Sequence, residues 1–235
     1  MTKTLLFDIE TSDLAADFGN MLAFGYQWYP KGPVKVITLL DVNPVCKHCG
    51  RVDAVDDAPL LKQVFEVMSQ AELTVTWYGR EGKGFDQRYV NTRLLDARLP
   101  KLPDIPMVDL YLTSRDRLRL SSNRLANVQD FLRLKAKKTL IKKRVWRQAQ
   151  AGDVKSIKYI SHHCKNDILV LREVYELLLP YVKAHPRVAG WIPCRRCGGK
   201  VSRQGRAISA TKSERYQFQC QTCGGWETRP MEKAA

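Results

Sequence analysis

A short apolar run near the start of the chain ends in two acids, and this feature constrains the fold most strongly. Residues 4–10 read Thr-Leu-Leu-Phe-Asp-Ile-Glu, a pattern typical of a buried strand. Side chains two residues apart on a strand point to the same face, so Asp8 and Glu10 are expected side by side. Two carboxylates held together at the end of a buried strand repel each other and favour a bound cation. The alternative is a strand end that runs into solvent.

The rest of the chain predicts an α/β fold around a mixed sheet. Strands are predicted at residues 4–10, 21–29, 34–41, 73–77 and 105–111, and helices at residues 60–68, 85–94, 125–132 and 156–179. This order places an antiparallel hairpin beside strands that are joined by helices, which is typical of a mixed sheet flanked by helices. With 235 residues, of which 44% are hydrophobic, the chain can form a core, and general disorder is excluded.

Two further acids lie in contexts that suit a metal site. Asp86 follows the glycine-rich loop at residues 79–84 and begins a predicted helix, where an acid also suits the helix dipole. Asp167 lies within the apolar stripe of the predicted helix at residues 156–179, where burial is costly unless the carboxylate is paired or binds metal. The alternatives are an ordinary acid at a helix N-terminus for Asp86 and an exposed acid paired with Lys or Arg for Asp167.

Taken in order, these acids form three motifs. The motifs are residues 7–11 (Phe-Asp-Ile-Glu-Thr), residues 82–86 (Gly-Lys-Gly-Phe-Asp) and residues 162–167 (His-His-Cys-Lys-Asn-Asp). Through them the chain from residue 4 to about 180 resembles the DEDD superfamily of 3′–5′ exonucleases, which have a ribonuclease-H-like fold. The resemblance implies a site with two Mg²⁺ or Mn²⁺ ions, which suit carboxylate oxygens and can activate water and stabilise the leaving 3′ oxygen. The acids that would hold these ions are Asp8, Glu10, Asp86 and Asp167.

Two adjacent histidines precede the last acid of the third motif. The family divides into a branch with His five residues before this Asp and a branch with Tyr four residues before it. His162 has the first spacing, and His163 stands where the other branch has Tyr. Four residues of a helix turn about 400° and five about 500°, so His163 shares a face with Asp167, whereas His162 reaches it only if the helix begins after His162. We favour His162 as general base on its spacing and keep His163 as the alternative, since either imidazole titrates near neutrality.

Four cysteines near the end of the chain predict a structural zinc site. They form two Cys-x2-Cys pairs, each followed by Gly-Gly, at Cys194 and Cys197 and at Cys220 and Cys223. Glycine permits tight turns around sulfur, and four thiolates suit a tetrahedral Zn²⁺ ion that has no open position for catalysis. We therefore predict two domains, an exonuclease domain at residues 1–185 and a nucleic-acid-binding zinc ribbon at residues 190–230. The alternative is four free thiols.

A third Cys-x2-Cys pair, Cys46 and Cys49, has no second pair nearby in the sequence. It could bind a second Zn²⁺ with His48 or aspartate ligands, bind one together with another chain, or bind no metal. The remaining cysteine, Cys164, lies within the third motif and is interpreted as a small buried residue.

The net charge of +15 predicts a polyanionic partner, most simply nucleic acid. Residues 101–160 hold fifteen lysines and arginines against five acids, and the chain from residue 191 holds nine against three. The basic residues between the second and third motifs, such as Lys138 and Arg144, are expected to follow a phosphate backbone; a solvated face is the alternative. In the zinc ribbon, arginines alternate with aromatic residues that would stack on bases or, as for Trp226, form the ribbon's own core.

The sequence therefore predicts a metal-dependent 3′–5′ exonuclease that acts on the 3′ ends of single-stranded DNA or RNA. DNA is favoured only because nothing in the sequence reads a 2′-hydroxyl. The alternatives are an exoribonuclease with the same site and a nucleic-acid-binding adaptor whose catalytic centre is silent. No apolar run approaches the length of a membrane span, and the first run contains two acids, unlike a signal peptide. We therefore expect no membrane partner and a cytoplasmic location, and the oligomeric state is left open.

Overall fold

The computed structural model describes residues 3–77, 84–136, 139–182, 194, 199–208 and 214–230. The strands are β1 (Thr4–Thr11), β2 (Met21–Tyr29), β3 (Lys35–Thr38), β4 (Leu73–Thr76), β5 (Met107–Asp109), β6 (Val201–Ile208), β7 (Glu214–Cys220) and β8 (Trp226–Pro230). The helices are α1 (Leu39–Val42), α2 (Ala58–Met68), α3 (Phe85–Asp96), α4 (Leu110–Arg117), α5 (Leu125–Phe131), α6 (Lys143–Gln150) and α7 (Val154–Leu178), and a 3₁₀ turn (Leu179–Tyr181) follows. Within these residues, no helix combines the length and hydrophobicity that a membrane span requires.

Five strands form one mixed sheet with β1 at its centre. The order across the sheet is β3-β2-β1-β4-β5, with β1 antiparallel to β2 and parallel to β4. Leu5 and Phe7 on β1 belong to one core cluster and Leu6 to another, because successive side chains of a strand point to opposite faces. Both faces of the central strand are therefore buried. This arrangement confirms the predicted α/β fold with a mixed sheet.

The long helix α7 packs across β1 and β2, and a glycine makes this close approach possible. Gly25 on β2 is paired with Asp8 on β1. A Cβ atom at Gly25 would lie 2.6 Å from Sγ of Cys164 on α7, closer than real Cβ atoms approach other heavy atoms. Because residue 25 has no side chain, the middle of α7 lies directly against the end of β1 that carries Asp8 and Glu10.

The helix α7 begins earlier than the sequence pattern predicts. Asp153 is its N-cap, and the carboxylate accepts hydrogen bonds from the backbone N–H and the hydroxyl of Ser156. Such a cap satisfies donors that a helix end leaves without an intrahelical partner. The helix therefore begins well before His162, and the condition under which His162 could face the site is not met.

Two predicted strands are shorter than expected, because a helix cap ends each of them. The strand predicted at residues 34–41 ends at Thr38, which forms a capping box with the first turn of α1. The strand predicted at residues 105–111 is confined to β5, since the carboxylate of Asp109 accepts a backbone N–H from the first turn of α4. A side chain that caps the following helix favours the helix over further strand pairing.

Three antiparallel strands near the end of the chain form a second, smaller sheet in the order β6-β7-β8. Phe218 on β7 is buried on the same face as Cys220, whereas Trp226 on β8 is 53% exposed. The expectation that Trp226 forms the core of this module is therefore wrong, and Phe218 takes that place. The predicted boundary between the two domains, residues 185–190, lies outside the described residues.

Candidate active site

The end of β1 presents two carboxylates at one edge of the mixed sheet. The strand alternation places Asp8 and Glu10 on one face, with Asp8 half-buried and Glu10 buried. The pairing register between β1 and β2 shifts directly after Glu10, so regular strand pairing ends at the second acid. A carboxylate oxygen of each acid lies within 4.8 Å of the other and of Sγ of Cys164. The structure therefore brings these two predicted site residues together.

The helix α7 adds an imidazole and a third carboxylate to this edge. His163 and Asp167 are both buried and lie one helical turn apart. Nε2 of His163 is 3.6 Å from Oε1 of Glu10 and 3.6 Å from Oδ2 of Asp167. The ligand atoms of these three residues all lie within 4.8 Å of one another. One strand and one helix that are distant in sequence thus converge on a single acidic centre.

The ring of His163 is oriented by a residue that the sequence analysis did not single out. Oγ1 of Thr139 and Nδ1 of His163 are 2.5 Å apart in a hydrogen bond. Because this bond engages Nδ1, the opposite nitrogen is the one directed at the carboxylates. Thr139 and His163 are 24 positions apart in the sequence, and a contact at that separation has no periodic sequence signal. The sequence therefore does not predict this role of Thr139.

The structure places His162 away from this centre. Its side chain is exposed, while the neighbouring His163 is buried. The physical reason is that α7 is continuous from before His162 to beyond Asp167, so the five residues between them rotate His162 off the face that carries Asp167. His162 was favoured on its spacing and could reach the site only if the helix began after it, and this condition is not met. The chemical role of either histidine remains a prediction.

Asp86 lies in the first turn of α3 and is held by the neighbouring strand. Its Oδ2 accepts a hydrogen bond of 2.5 Å from Oγ1 of Thr76, the last residue of β4. Both side chains are buried, and β4 is the parallel neighbour of β1. Among the described residues, however, no cluster of three ligand atoms within 4.8 Å includes Asp86. The structure therefore places Glu10 within 4.8 Å of both Asp8 and Asp167 and positions Asp86 separately through Thr76.

Cys164 is fully buried against the acidic centre, as its interpretation as a small buried residue requires. Burial, followed by the charges of Asp8, Glu10 and Asp167, raises the pKa of this thiol well above its ordinary value. Burial at this position therefore favours the neutral thiol over the thiolate. Its place beside the carboxylates depends on the close contact with Gly25, which sequence periodicity alone does not reveal.

The donor set of the acidic centre fits a hard divalent cation. Glu10 is 8% exposed and Asp167 is 3% exposed. Holding several buried carboxylates this close is costly in free energy unless positive charge compensates them. Carboxylate oxygens are the ligands that suit Mg²⁺ and Mn²⁺. Asp8, Glu10 and Asp167 are the residues that would hold such an ion.

The C-terminal cysteines form a second and chemically different cluster. The ligand atoms of Cys194, Cys220 and Cys223 lie within 4.8 Å of one another, and Sγ of Cys194 is 3.8 Å from Sγ of Cys223. The backbone N–H groups of Thr222 and Cys223 donate to Sγ of Cys220. Sulfur donors in this arrangement are compatible with a zinc ribbon. The fourth predicted ligand, Cys197, lies outside the described residues.

The basic segment is defined here as residues 135–147, and its described residues, 135–136 and 139–147, lie beside the acidic centre. It contains Thr139, which contacts His163, and Trp146, which packs against the core cluster that includes Leu5 and Phe7. Arg144 is exposed, as are Lys142, Lys143 and Arg147. Lys138, which like Arg144 is expected to contact a phosphate backbone, lies outside the described residues. The segment thus presents positive charge on the solvent side while its inner residues contact the core and the site.

Comparison with known proteins identifies the family. A sequence model of the RNase_H superfamily matches residues 5–179. The chain belongs to the RNase_H superfamily. This membership confirms the predicted ribonuclease-H-like fold and agrees with the predicted class of enzyme, a nuclease. A search of curated proteins found no match.

Several solved structures are similar to this RNase_H superfamily member at low sequence identity. One is described as the apo form of the nuclease, with 15% identity, a TM-score of 0.45 and coverage of 75% of this chain and 71% of that chain. Exonuclease I of E. coli in complex with a dT13 oligonucleotide has 13% identity and a TM-score of 0.43, over 74% of this chain and 41% of its own. NrnC of Brucella melitensis with bound Mg²⁺ has 14% identity and a TM-score of 0.37, over 75% of this chain and 85% of its own.

Proposed function

We propose that this protein is a metal-dependent 3′–5′ exonuclease that hydrolyses phosphodiester bonds at the 3′ ends of single-stranded nucleic acid. The observation that carries the proposal is the convergence of Glu10, His163 and Asp167 within 4.8 Å, next to Asp8. A nuclease needs this combination, because cations compensate the charge that develops on the phosphate and a base removes a proton from water. The 3′–5′ polarity rests on the resemblance of the three motifs.

Each residue of the centre has a role that its position supports. Two divalent ions, when bound, would lower the pKa of the attacking water and balance charge on the leaving oxygen. A carboxylate oxygen of Glu10 lies within 4.8 Å of one from Asp8 and of one from Asp167. Asp86, held by Thr76, completes the set of four acids in this proposal. His163 directs Nε2 at the same point, where it can accept a proton from water. His163 is therefore preferred here over His162.

Two exposed apolar side chains beside the site suit an unstacked terminal base. Leu14 and Phe18 are 82% and 85% exposed, in the loop that directly follows β1. This loop is held in place, because the guanidinium of Arg93 donates to the backbone oxygen of Ala16 and to the side chain of Asn20. Exposed apolar and aromatic side chains, together with positive charge, favour the binding of single strands without reading their sequence.

The C-terminal module contributes to binding in this proposal. The guanidinium of Arg203 lies 3.6 Å from the ring centroid of Tyr216, and Trp226 is exposed on the opposite face of the sheet. Arginine and aromatic surfaces together favour contact with phosphates and bases. We propose that residues 1–185 carry catalysis, and that residues 190–230 form a ribbon with a structural Zn²⁺ that helps to hold the strand.

A degradation assay tests the proposal and identifies the preferred nucleic acid. Matched single-stranded DNA, duplex DNA and RNA, each labelled at the 5′ end, are incubated with the protein in Mg²⁺, in Mn²⁺ and in EDTA. The expected result is a ladder that shortens from the 3′ end only when a divalent ion is present. The proposal prefers single-stranded DNA, and a preference for RNA would indicate an exoribonuclease with the same site. Binding without cleavage of any substrate would contradict an enzyme and indicate an adaptor.

A further inference from the structure

The turn at residues 46–50 has the same backbone hydrogen bonds as the zinc-ribbon turn at residues 220–224. The N–H of Gly50 donates to the carbonyl of Cys46 at 2.8 Å, and the N–H of Gly224 donates to the carbonyl of Cys220 at 3.0 Å. The two glycines have φ angles of 66° and 68°, a conformation that other residues rarely adopt. The two turns therefore share one local backbone conformation, although they lie in distant parts of the sequence.

The sulfur atoms of the two turns have matching environments. The N–H of Cys49 donates to Sγ of Cys46 at 3.3 Å, and the N–H of Cys223 donates to Sγ of Cys220 at 3.4 Å. N–H groups directed at sulfur favour its charged form, which is the form that binds metal. The first cysteine of each turn also donates its N–H to the carbonyl of the residue five positions later. Cys46 donates to Arg51 at 2.8 Å, and Cys220 donates to Gly225 at 2.9 Å. Cys194 makes the same bond to Gly199.

We propose that Cys46 and Cys49 bind a thiophilic divalent cation, Zn²⁺, at a site distinct from the acidic centre and from the zinc ribbon. Both cysteines are exposed and reduced, so the ion can reach them. A preformed pair of sulfur donors suits Zn²⁺, which prefers four ligands in a tetrahedral arrangement. Within the described residues, no group of three His, Cys, Asp or Glu ligand atoms within 4.8 Å of one another includes Cys46 or Cys49. The remaining positions are therefore filled by ligands from outside this turn.

The position of the turn indicates what the ion stabilises. The N–H of Val52 donates to the carbonyl of Gly152 at 3.0 Å, and Arg51 forms an isolated bridge with Asp153, the N-cap of α7. At the other end of the same segment, the carboxylate of Asp57 accepts the N–H of Met21, the first residue of β2. The segment thus links the start of α7 to the sheet edge beside Glu10, and a bound ion would fix its tip.

Metal content of the full-length protein tests this inference without reference to nuclease activity. The double variant C46S/C49S removes both sulfurs from an exposed turn, where substitution is expected to leave the fold intact. The matched control C220S/C223S removes two ligands from the ribbon in the same way. Zinc per chain is measured by mass spectrometry after dialysis, and Co²⁺ replacement reports thiolate ligation through its charge-transfer absorption.

The inference predicts that C46S/C49S loses between half an ion and one ion of zinc per chain, where half an ion indicates a site shared by two copies. C220S/C223S is expected to retain that ion and to keep a Co²⁺–thiolate absorption. This absorption should disappear only in the variant that combines all four substitutions. Amide hydrogen exchange near residues 150–156 should also become faster in C46S/C49S. Zinc content equal to that of the wild type would overturn the inference, and so would an isolated protein in which Cys46 and Cys49 form a disulfide.

Discussion

His163 and Asp167 lie one turn apart on α7, and Nε2 of the imidazole is 3.6 Å from Oδ2 of the carboxylate. The same nitrogen is 3.6 Å from Oε1 of Glu10 on β1. This geometry joins the third acidic motif to the first through one buried imidazole. It also distinguishes the two adjacent histidines, because His163 faces the carboxylates and His162 faces solvent.

Substitution of His163 is expected to lower kcat by about 10²–10⁴-fold, the usual contribution of a positioned general base. The His162→Ala variant should keep kcat close to the wild-type value, because its side chain is exposed on α7. Single-turnover cleavage of a 5′-labelled oligonucleotide measures both. His163→Gln accompanies His163→Ala, since it keeps a polar group in the buried position. Loss of activity in His162→Ala with normal activity in the His163 variants would show that the assignment is wrong.

Thr139 is expected to act as a positioning residue for His163. Thr139→Val keeps the shape of the side chain and removes the hydroxyl that contacts Nδ1, so kcat should fall about 10–100-fold with KM nearly unchanged. Thr139→Ser retains the hydroxyl and should restore most of the activity. Steady-state kinetics of the two variants separates the effects on kcat and KM. A higher KM with normal kcat would instead place Thr139 in substrate binding.

The contact between Gly25 and Cys164 is expected to control how closely α7 packs on the sheet. Gly25→Ala should lower the free energy of unfolding by about 1–3 kcal/mol, because the new methyl group overlaps Sγ of Cys164. The double variant G25A/C164A should recover part of this loss, since the sulfur is gone. Urea unfolding of the two single variants and the double variant gives the coupling energy. Strictly additive effects would contradict the contact.

Exposed cations of the basic segment are expected to contact phosphates. Arg144→Ala should weaken binding of single-stranded DNA and reduce the slope of log Kd against log salt concentration by about 1. Lys62→Ala, which removes an exposed cation from α2, serves as the control and should leave the slope unchanged. Fluorescence anisotropy across a salt series measures both. An unchanged slope in Arg144→Ala would indicate that this side chain belongs to a solvated face.

The parts of the fold that could be predicted are those with a local signal. The apolar run of β1 and the alternation of Asp8 and Glu10 follow from strand geometry, and the apolar stripe of α7 follows from helical periodicity. The N-terminus of α7 also has a local signal, because Asp153 before the stripe is an ordinary N-cap residue. The helix predicted at residues 156–179 already included His162, so helical rotation argued against the histidine that its spacing favoured.

The parts that could not be predicted depend on contacts between distant residues. The fit of α7 against Gly25 needs the paired strands and the helix in place, and no sequence period encodes it. The contacts of Thr139 with His163 and of Thr76 with Asp86 likewise arise only from tertiary packing. Capping at Thr38 overrode a β-rich sequence, because a satisfied helix end competes with strand pairing.

The most direct test of the acidic centre compares two acids on the same helix. Asp167→Asn removes a charge from the centre, whereas Glu176→Gln removes one from an exposed ion pair with Arg172 on the outer part of α7. For each variant, cleavage of 5′-labelled single-stranded DNA and Mn²⁺ binding by calorimetry are measured side by side. The account predicts that Asp167→Asn loses at least about 100-fold in activity together with Mn²⁺ affinity, while Glu176→Gln keeps both. Wild-type cleavage and Mn²⁺ binding in Asp167→Asn would contradict it.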